Sequence, residues 1–156
     1  MTSEELMRET IRLANENIKN GGGPFGALIA DKDGNIVSKG VNRVTANNDP
    51  TAHAEVCAIR NASEKLKTFN LEGYTIYTSC EPCPMCLGAI YWAHLDKIYY
   101  GNTKSDAKKI NFDDSFIYDE LSLSPAERKL ASQQLLHGEA IKTFESWAGK
   151  TDKTPY

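Results

Sequence analysis

Hydrophobic and polar positions along the chain fall into short blocks of different phase. Between Glu4 and Asn20, Leu6, Ile11, Leu13, Ala14 and Ile18 recur mostly at the three- and four-residue spacing of one helix face. That spacing predicts a helix over residues 4–20, with Ser3 as N-cap and Gly21 as the stop. Gly21-Gly22-Gly23-Pro24 then breaks the pattern; it lacks the residues that follow a phosphate loop and reads as a flexible turn. Residues 25–30 and Ile36–Val41 are short apolar runs joined by Asp31-Lys32-Asp33-Gly34, which predicts a β-hairpin. Residues 50–66 read as a second helix, 74–78 as a buried strand, Pro84–Trp92 as a third helix and 97–100 as a further strand. Strands alternating with helices predict an α/β layered domain, with helices on both faces of a mixed sheet. Beyond Asn102 the pattern weakens. Residues 124–136 and 139–147 read as helices and 151–156 as a short polar tail. No repeat or linker interrupts the chain, so residues 1–156 are expected to form a single domain.

Composition narrows the function classes. The chain has 156 residues, 40% hydrophobic and 25% charged, the balance of an ordinary globular protein. No apolar stretch approaches the roughly 18 residues a membrane span needs. The first residues are acidic where a signal peptide is basic and then apolar, which points to a cytoplasmic protein. A formal net charge of -3 argues against broad electrostatic binding of nucleic acid or acidic lipid. Lys104, Lys108 and Lys109, and again Lys150 and Lys153, form small clusters that read as solvated lysines. Cys80, Cys83 and Cys86 are too crowded for separate disulfides, so metal ligation is the better reading.

Two segments carry that chemistry: Thr51-Ala52-His53-Ala54-Glu55 and Cys80-Glu81-Pro82-Cys83-Pro84-Met85-Cys86. Pro84 suits the first position of a helix, which puts Cys83 near the N-cap and Cys86 in the first turn. A helix N-terminus favours thiolate there. His53 follows Asp49-Pro50, another helix-start signal, and is expected in a first turn. Two helix tips converging would offer one nitrogen and two sulfurs, a zinc ligand set. Glu55 lies two residues from His53 and would not share its face in mid-helix. Near a tip, where side chains lean toward the N-terminus, both can reach one site, and a carboxylate beside a three-ligand zinc can move protons between water and substrate. The alternative is a closed structural site with Cys80 as fourth ligand; against it, Cys80 ends the strand run rather than starting the helix. Cys57 reads as a buried apolar residue, and His94 and His137 have no partner at ligand spacing.

His53-Ala54-Glu55 followed by Pro82-Cys83-Pro84-Met85-Cys86 resembles the H-x-E … P-C-x-x-C signature of zinc nucleobase and nucleoside deaminases. The resemblance covers nearly the whole chain. It implies a three-layer α/β/α cytidine-deaminase-like fold with a central mixed sheet, and one zinc ion per subunit on His53, Cys83 and Cys86. It also implies Glu55 as proton shuttle. Asn42-Arg43 and residues 49–55 look like those of both guanine deaminases and tRNA adenosine deaminases. Asn111-Phe112-Asp113-Asp114-Ser115-Phe116-Ile117-Tyr118 resembles a segment of bacterial guanine deaminases, as do Tyr91-Trp92-Ala93 and the C-terminal Tyr156. That resemblance implies a small purine base held by Asn42 and Asp114, with Trp92 and Phe25 as pocket walls. A tail over about residues 150–156, ending in Tyr156, would close the site. Relatives of this group exchange that segment between the subunits of a homodimer. His94 stands where relatives often carry arginine.

The expected activity is hydrolytic deamination of guanine to xanthine and ammonia in purine catabolism or salvage. The alternatives are a tRNA adenosine deaminase or a deaminase of another small aminated heterocycle. Guanine offers donors at N1–H and its 2-amino group, which a carboxylate such as Asp114 complements, whereas adenine offers an acceptor at N1. Structural roles stand beside these. Asp113 or Asp114 can cap the helix that follows, Trp92 can be core, and Asn42 can be a turn residue.

Overall fold

The computed structural model describes residues Met1–Tyr156, which divide into two compact units, Met1–Ser115 and Phe116–Tyr156. In the first unit the apolar blocks become a four-stranded sheet of order β2-β1-β3-β4, built from β1 (Gly26–Ala30), β2 (Ile36–Val41), β3 (Thr75–Cys80) and β4 (Lys97–Asn102). β1 runs antiparallel to β2 and to β3, and β3 runs parallel to β4. The hairpin is as expected, and the sheet is mixed. α4 (Pro84–Trp92) lies in the crossover a parallel pair requires.

β1 explains why the sheet carries helices on both sides. All five of its residues are buried. Ala27 and Ile29 point into a core with Ala54, Ala58 and Ala62 of α3 (Ala54–Leu66) and Ile90 of α4. Leu28 and Ala30 point the other way, against Leu6 of α1 (Ser3–Lys19) and Tyr77. A strand covered on both faces shows a continuous apolar run rather than alternation. The result is the three-layer α/β/α arrangement expected from the resemblance. α3 sits close on β2 because residue 40 is glycine: a methyl group there would strike the backbone at Ala54 and Ala58. Ser38 Oγ adds a hydrogen bond to the Ala58 carbonyl at 2.8 Å.

Several element ends differ from expectation for local reasons. Thr2, not Ser3, caps α1: its hydroxyl accepts from Glu5 N–H, and the Glu5 carboxylate accepts from Thr2 N–H. The helix expected from residue 50 begins at Ala54, because Asp49 organises a turn first, accepting from both the N–H and the hydroxyl of Thr51. β3 and β4 each run two residues further than their apolar runs. The short helices α2 (Val44–Asn47) and α5 (Lys104–Lys109) were not expected, while α6 (Ser115–Leu121) is the helix that the capping reading of Asp113 or Asp114 required.

The second unit corrects the reading of residues 124–136 as a helix: only Pro125–Glu127 forms a 3-10 turn there. Its apolar residues Leu130, Leu135 and Leu136 are all exposed, so a helix there would bury no face, and short helices do not persist on propensity alone. α7 (His137–Ala148) brackets the helix expected at 139–147. No residue of this unit is buried; Leu130, Leu135 and Phe144 are 84%, 77% and 73% exposed. No helix of the chain is long and apolar enough to cross a membrane.

Candidate metal centre and active site

Two helix starts meet at one point. Cys83 is the N-cap of α4, with Pro84 following and Cys86 in the first turn, as the Pro-Cys-Pro spacing predicts. His53 is the N-cap of α3, one residue before the first turn. Its Nδ1 lies 3.5 Å from the sulfurs of both Cys83 and Cys86, and the three ligand atoms all lie within 4.8 Å of one another. Zinc bonds of 2.0–2.3 Å in a tetrahedron place neighbouring ligand atoms about 3.3–3.8 Å apart, so this donor set has the size and softness for zinc. Cys80 lies outside the group, with its sulfur 3.7 Å from the Thr103 carbonyl and burial pushing its thiol up to about 11. A three-ligand site keeps one coordination position for chemistry.

The electrostatics suit metal binding. Cys83 is shifted strongly down, first by the hydrogen bond from the Cys86 thiol and further by His53. Cys86 is shifted up by donating to Cys83, by burial and by the nearby Glu55 carboxylate. Two sulfurs this close share one negative charge until a cation joins them. Glu55, in the first turn of α3, is 7% exposed, and burial raises its carboxyl pKa.

The purine-contact candidates occupy linked segments. Asn42 N–H donates to the Phe25 carbonyl at 3.2 Å, and Arg43 N–H donates to the Ala52 carbonyl at 2.9 Å, one residue before His53. Asn42 Oδ1 accepts from Val44 N–H at 3.2 Å, the turn role that the sequence also allowed. The Phe25 ring meets the Phe112 ring edge-on, with centroids 5.0 Å apart.

Asp113 and Asp114 divide their duties. Asp113 accepts from the N–H and hydroxyl of Ser115 at the start of α6. Asp114 does not cap. Its Oδ1 is buried without a hydrogen-bond partner, burial raises its pKa, and its charge is felt at His53 and couples to Cys83. An orphaned buried acceptor in a native fold calls for an explanation.

Trp92 ends α4, roughly 13 Å along the helix axis from Cys83, and is 68% exposed. Tyr156 belongs to the second unit and is 77% exposed. His94 has a left-handed backbone, φ 60°, in the turn after α4. Sequence reasoning missed Phe112 and Glu81 as supports. The Glu81 carboxylate accepts from Lys104 N–H at 3.0 Å, while its own N–H donates to the Asn102 carbonyl at 2.8 Å. The Glu-Pro-Cys run was visible, but its tie to α5 is a tertiary contact.

Residues 1–102 match the family model described as the cytidine and deoxycytidylate deaminase zinc-binding region. The chain belongs to this deaminase family. Its relatives in the family include a guanine deaminase of Bacillus subtilis, 46% identical over 157 residues that cover 100% of both chains. A solved structure described as guanine deaminase from Bacillus subtilis matches with a TM-score of 0.96 and 45% identity, over 100% of this chain and 99% of that one. A tRNA-specific adenosine deaminase of Haemophilus influenzae is 37% identical over 98 residues, covering 63% of this chain and 57% of that protein. This chain is accordingly an enzyme of the zinc-dependent deaminase type, and the His53, Cys83 and Cys86 group is placed for the metal.

Proposed function

We propose that the protein is a guanine deaminase, hydrolysing guanine to xanthine and ammonia in purine catabolism or salvage. The observation that carries this reading is the buried Oδ1 of Asp114, which has no hydrogen-bond partner and belongs to a carboxylate whose charge acts on His53 and Cys83. A carboxylate there accepts from the N1–H and 2-amino donors of guanine, and an adenine N1 lone pair would face it unfavourably. The full-length likeness to a guanine deaminase, against a tRNA deaminase match of 98 residues, supports it.

His53, Cys83 and Cys86 would hold the zinc, which when bound supplies activated water near neutral pH. Glu55, raised by burial, would take one proton from that water and pass it to the ring nitrogen next to C2, then take the second from the oxygen added at C2 and pass it to the amine, which leaves as ammonia. Asp114 holds the N1 edge. Asn42 keeps its amide hydrogens for purine acceptors, since its oxygen is engaged by Val44 N–H. Phe25, braced by Phe112, forms one wall.

The same reading assigns Trp92 as a wall and Tyr156 as a closing residue, in a homodimer that exchanges the C-terminal segment. Its support is the second unit, which carries eleven large apolar residues exposed in the single chain and none buried. A 41-residue segment of that character needs a second copy to cover it. A cytoplasmic location fits the free thiols of Cys83 and Cys86, which a reducing compartment keeps available for metal. Broad nucleic-acid binding does not fit the net charge of -3.

The test is ammonia release by zinc-loaded protein from guanine, adenine, cytosine and unmodified tRNA, with Glu55→Ala as control. Turnover of guanine alone, lost in the control, is expected. Turnover of tRNA alone would replace this reading with the tRNA deaminase one. Sedimentation of the full chain should give a dimer, and removing residues 151–156 should reduce turnover; an active monomer would refute the assembly.

A further inference from the structure

We infer that Asn17 is a positioning residue for the purine pocket: from the end of α1 it sets Asn42 and Phe25 for the substrate. The inference rests on the proposed contacts of Asn42 and Phe25 with guanine.

Asn17 is 8% exposed, on the last turns of a helix whose other buried residues are Leu6, Thr10 and Ala14. A carboxamide buried there must have its hydrogens satisfied. Nδ2 spends one on the Gly23 carbonyl at 2.8 Å and the other on the Asn42 carbonyl at 2.9 Å, 25 residues away in sequence. Gly23 O also accepts from Phe25 N–H at 2.9 Å, and Asn42 N–H donates to Phe25 O. One side-chain amide therefore closes a ring of hydrogen bonds through Gly23, Phe25 and Asn42. The glycines are fitted to it. A Cβ at Gly22 would collide with the Asn17 side chain, and one at Gly23 would lie 3.3 Å from Asn42 Cγ.

Asn42 is thus held three times, by Asn17 at its carbonyl, by the Phe25 carbonyl at its N–H and by Val44 N–H at its side-chain oxygen. That leaves its amide hydrogens at a fixed angle for a ligand. Releasing the carbonyl lets the strand end and the Phe25 wall drift, and small misplacements weaken a substrate hydrogen bond. The ring makes no bond to Glu55, Cys83 or Cys86 and reaches the metal side only through Arg43 N–H on the Ala52 carbonyl, so binding should suffer more than chemistry.

The experiment is a mutant cycle on zinc-loaded full-length protein with guanine as substrate: Asn17→Ala, Asn42→Ala, the double variant, and Gly23→Ala. Asn17→Ala should raise KM roughly threefold to tenfold, the value of one neutral hydrogen bond, with kcat changed less and zinc content unchanged. On the Asn42→Ala background the same change should cost less than about twofold, because the residue it positions is gone. Gly23→Ala, which crowds Asn42 directly and leaves α1 intact, should reproduce the KM effect.

An equal loss in both backgrounds would make Asn17 a general staple of the loop and overturn the inference. A folded Asn17→Ala with wild-type KM would do the same. If Asn17→Ala does not fold, an unchanged KM in Gly23→Ala overturns it instead. A wild-type KM in Asn42→Ala alone would remove the purine contact itself, a different failure that the single variant identifies.

Discussion

Replacing Asp114 by alanine should make the protein more stable and a worse enzyme. Its Oδ1 is buried with no partner, so folding strips that oxygen of water and returns nothing. Leaving a buried acceptor unpaired costs about 1–3 kcal/mol, and Asp114→Ala removes the acceptor; after the lost side-chain packing a net gain of about 1 kcal/mol is expected. The gain must depend on pH. Burial raises the folded-state pKa above the ordinary 3.8, so folding disfavours the ionised form. Below the unfolded value both states are protonated and wild type carries no charge penalty. As pH rises through the raised folded value the penalty becomes complete. Asp114→Ala should therefore gain on wild type between acid and neutral pH. Guanine turnover moves the other way: hydrogen bonds to a charged group contribute about 1.5–3 kcal/mol, a loss of roughly 10- to 150-fold in kcat/KM. Urea unfolding at pH 4 and pH 7.5, with xanthine formation measured on the same preparations, checks both signs. A variant that is less stable at pH 7.5 while keeping its kcat/KM would show that Asp114 serves the fold, and the reasoning would fail.

Three further outcomes follow from other contacts. Gly40→Ala should lower stability by about 1–3 kcal/mol, because the new methyl meets α3 backbone at Ala54 and Ala58, which cannot yield as a side chain would; an unchanged urea midpoint would contradict that packing. Glu9, held down to about 2 by the Arg12 hydrogen bond and then Lys39, contributes stability above its ordinary pKa of 4.5 that is lost as pH falls toward 2. With partners half exposed, Glu9→Gln should cost about 1 kcal/mol at pH 7, the difference closing below pH 4.5; a difference that persists at pH 2 would point to packing rather than charge. Cys80→Ala should keep one zinc per chain, and cobalt-substituted protein should show two thiolates; loss of the metal would restore the closed four-ligand site.

The metal group was legible in the sequence because its geometry is local. Cys83, Pro84 and Cys86 share one helix start, so spacing alone places both sulfurs, and His53 and Glu55 sit at the start of α3. The β1–β2 hairpin was legible for the same reason, with its turn chemistry lying between two apolar runs. What sequence could not supply were contacts that close over long separations. Whether Asp113 or Asp114 caps α6 is decided by which carboxylate finds Ser115, and only the structure separates two adjacent identical residues. Nothing in the helical pattern singles out Asn17, whose amide meets Gly23 and Asn42 only in the fold. The misread helix at 124–136 fails differently. Its helix formers were read correctly as residues, but a helix in water holds through the face it buries, and the second unit buries none of its residues within the single chain. The same fact that defeats local prediction there is what the proposed homodimer rests on: Leu130, Leu135 and Phe144 are exposed in the single chain, and a second copy would cover them.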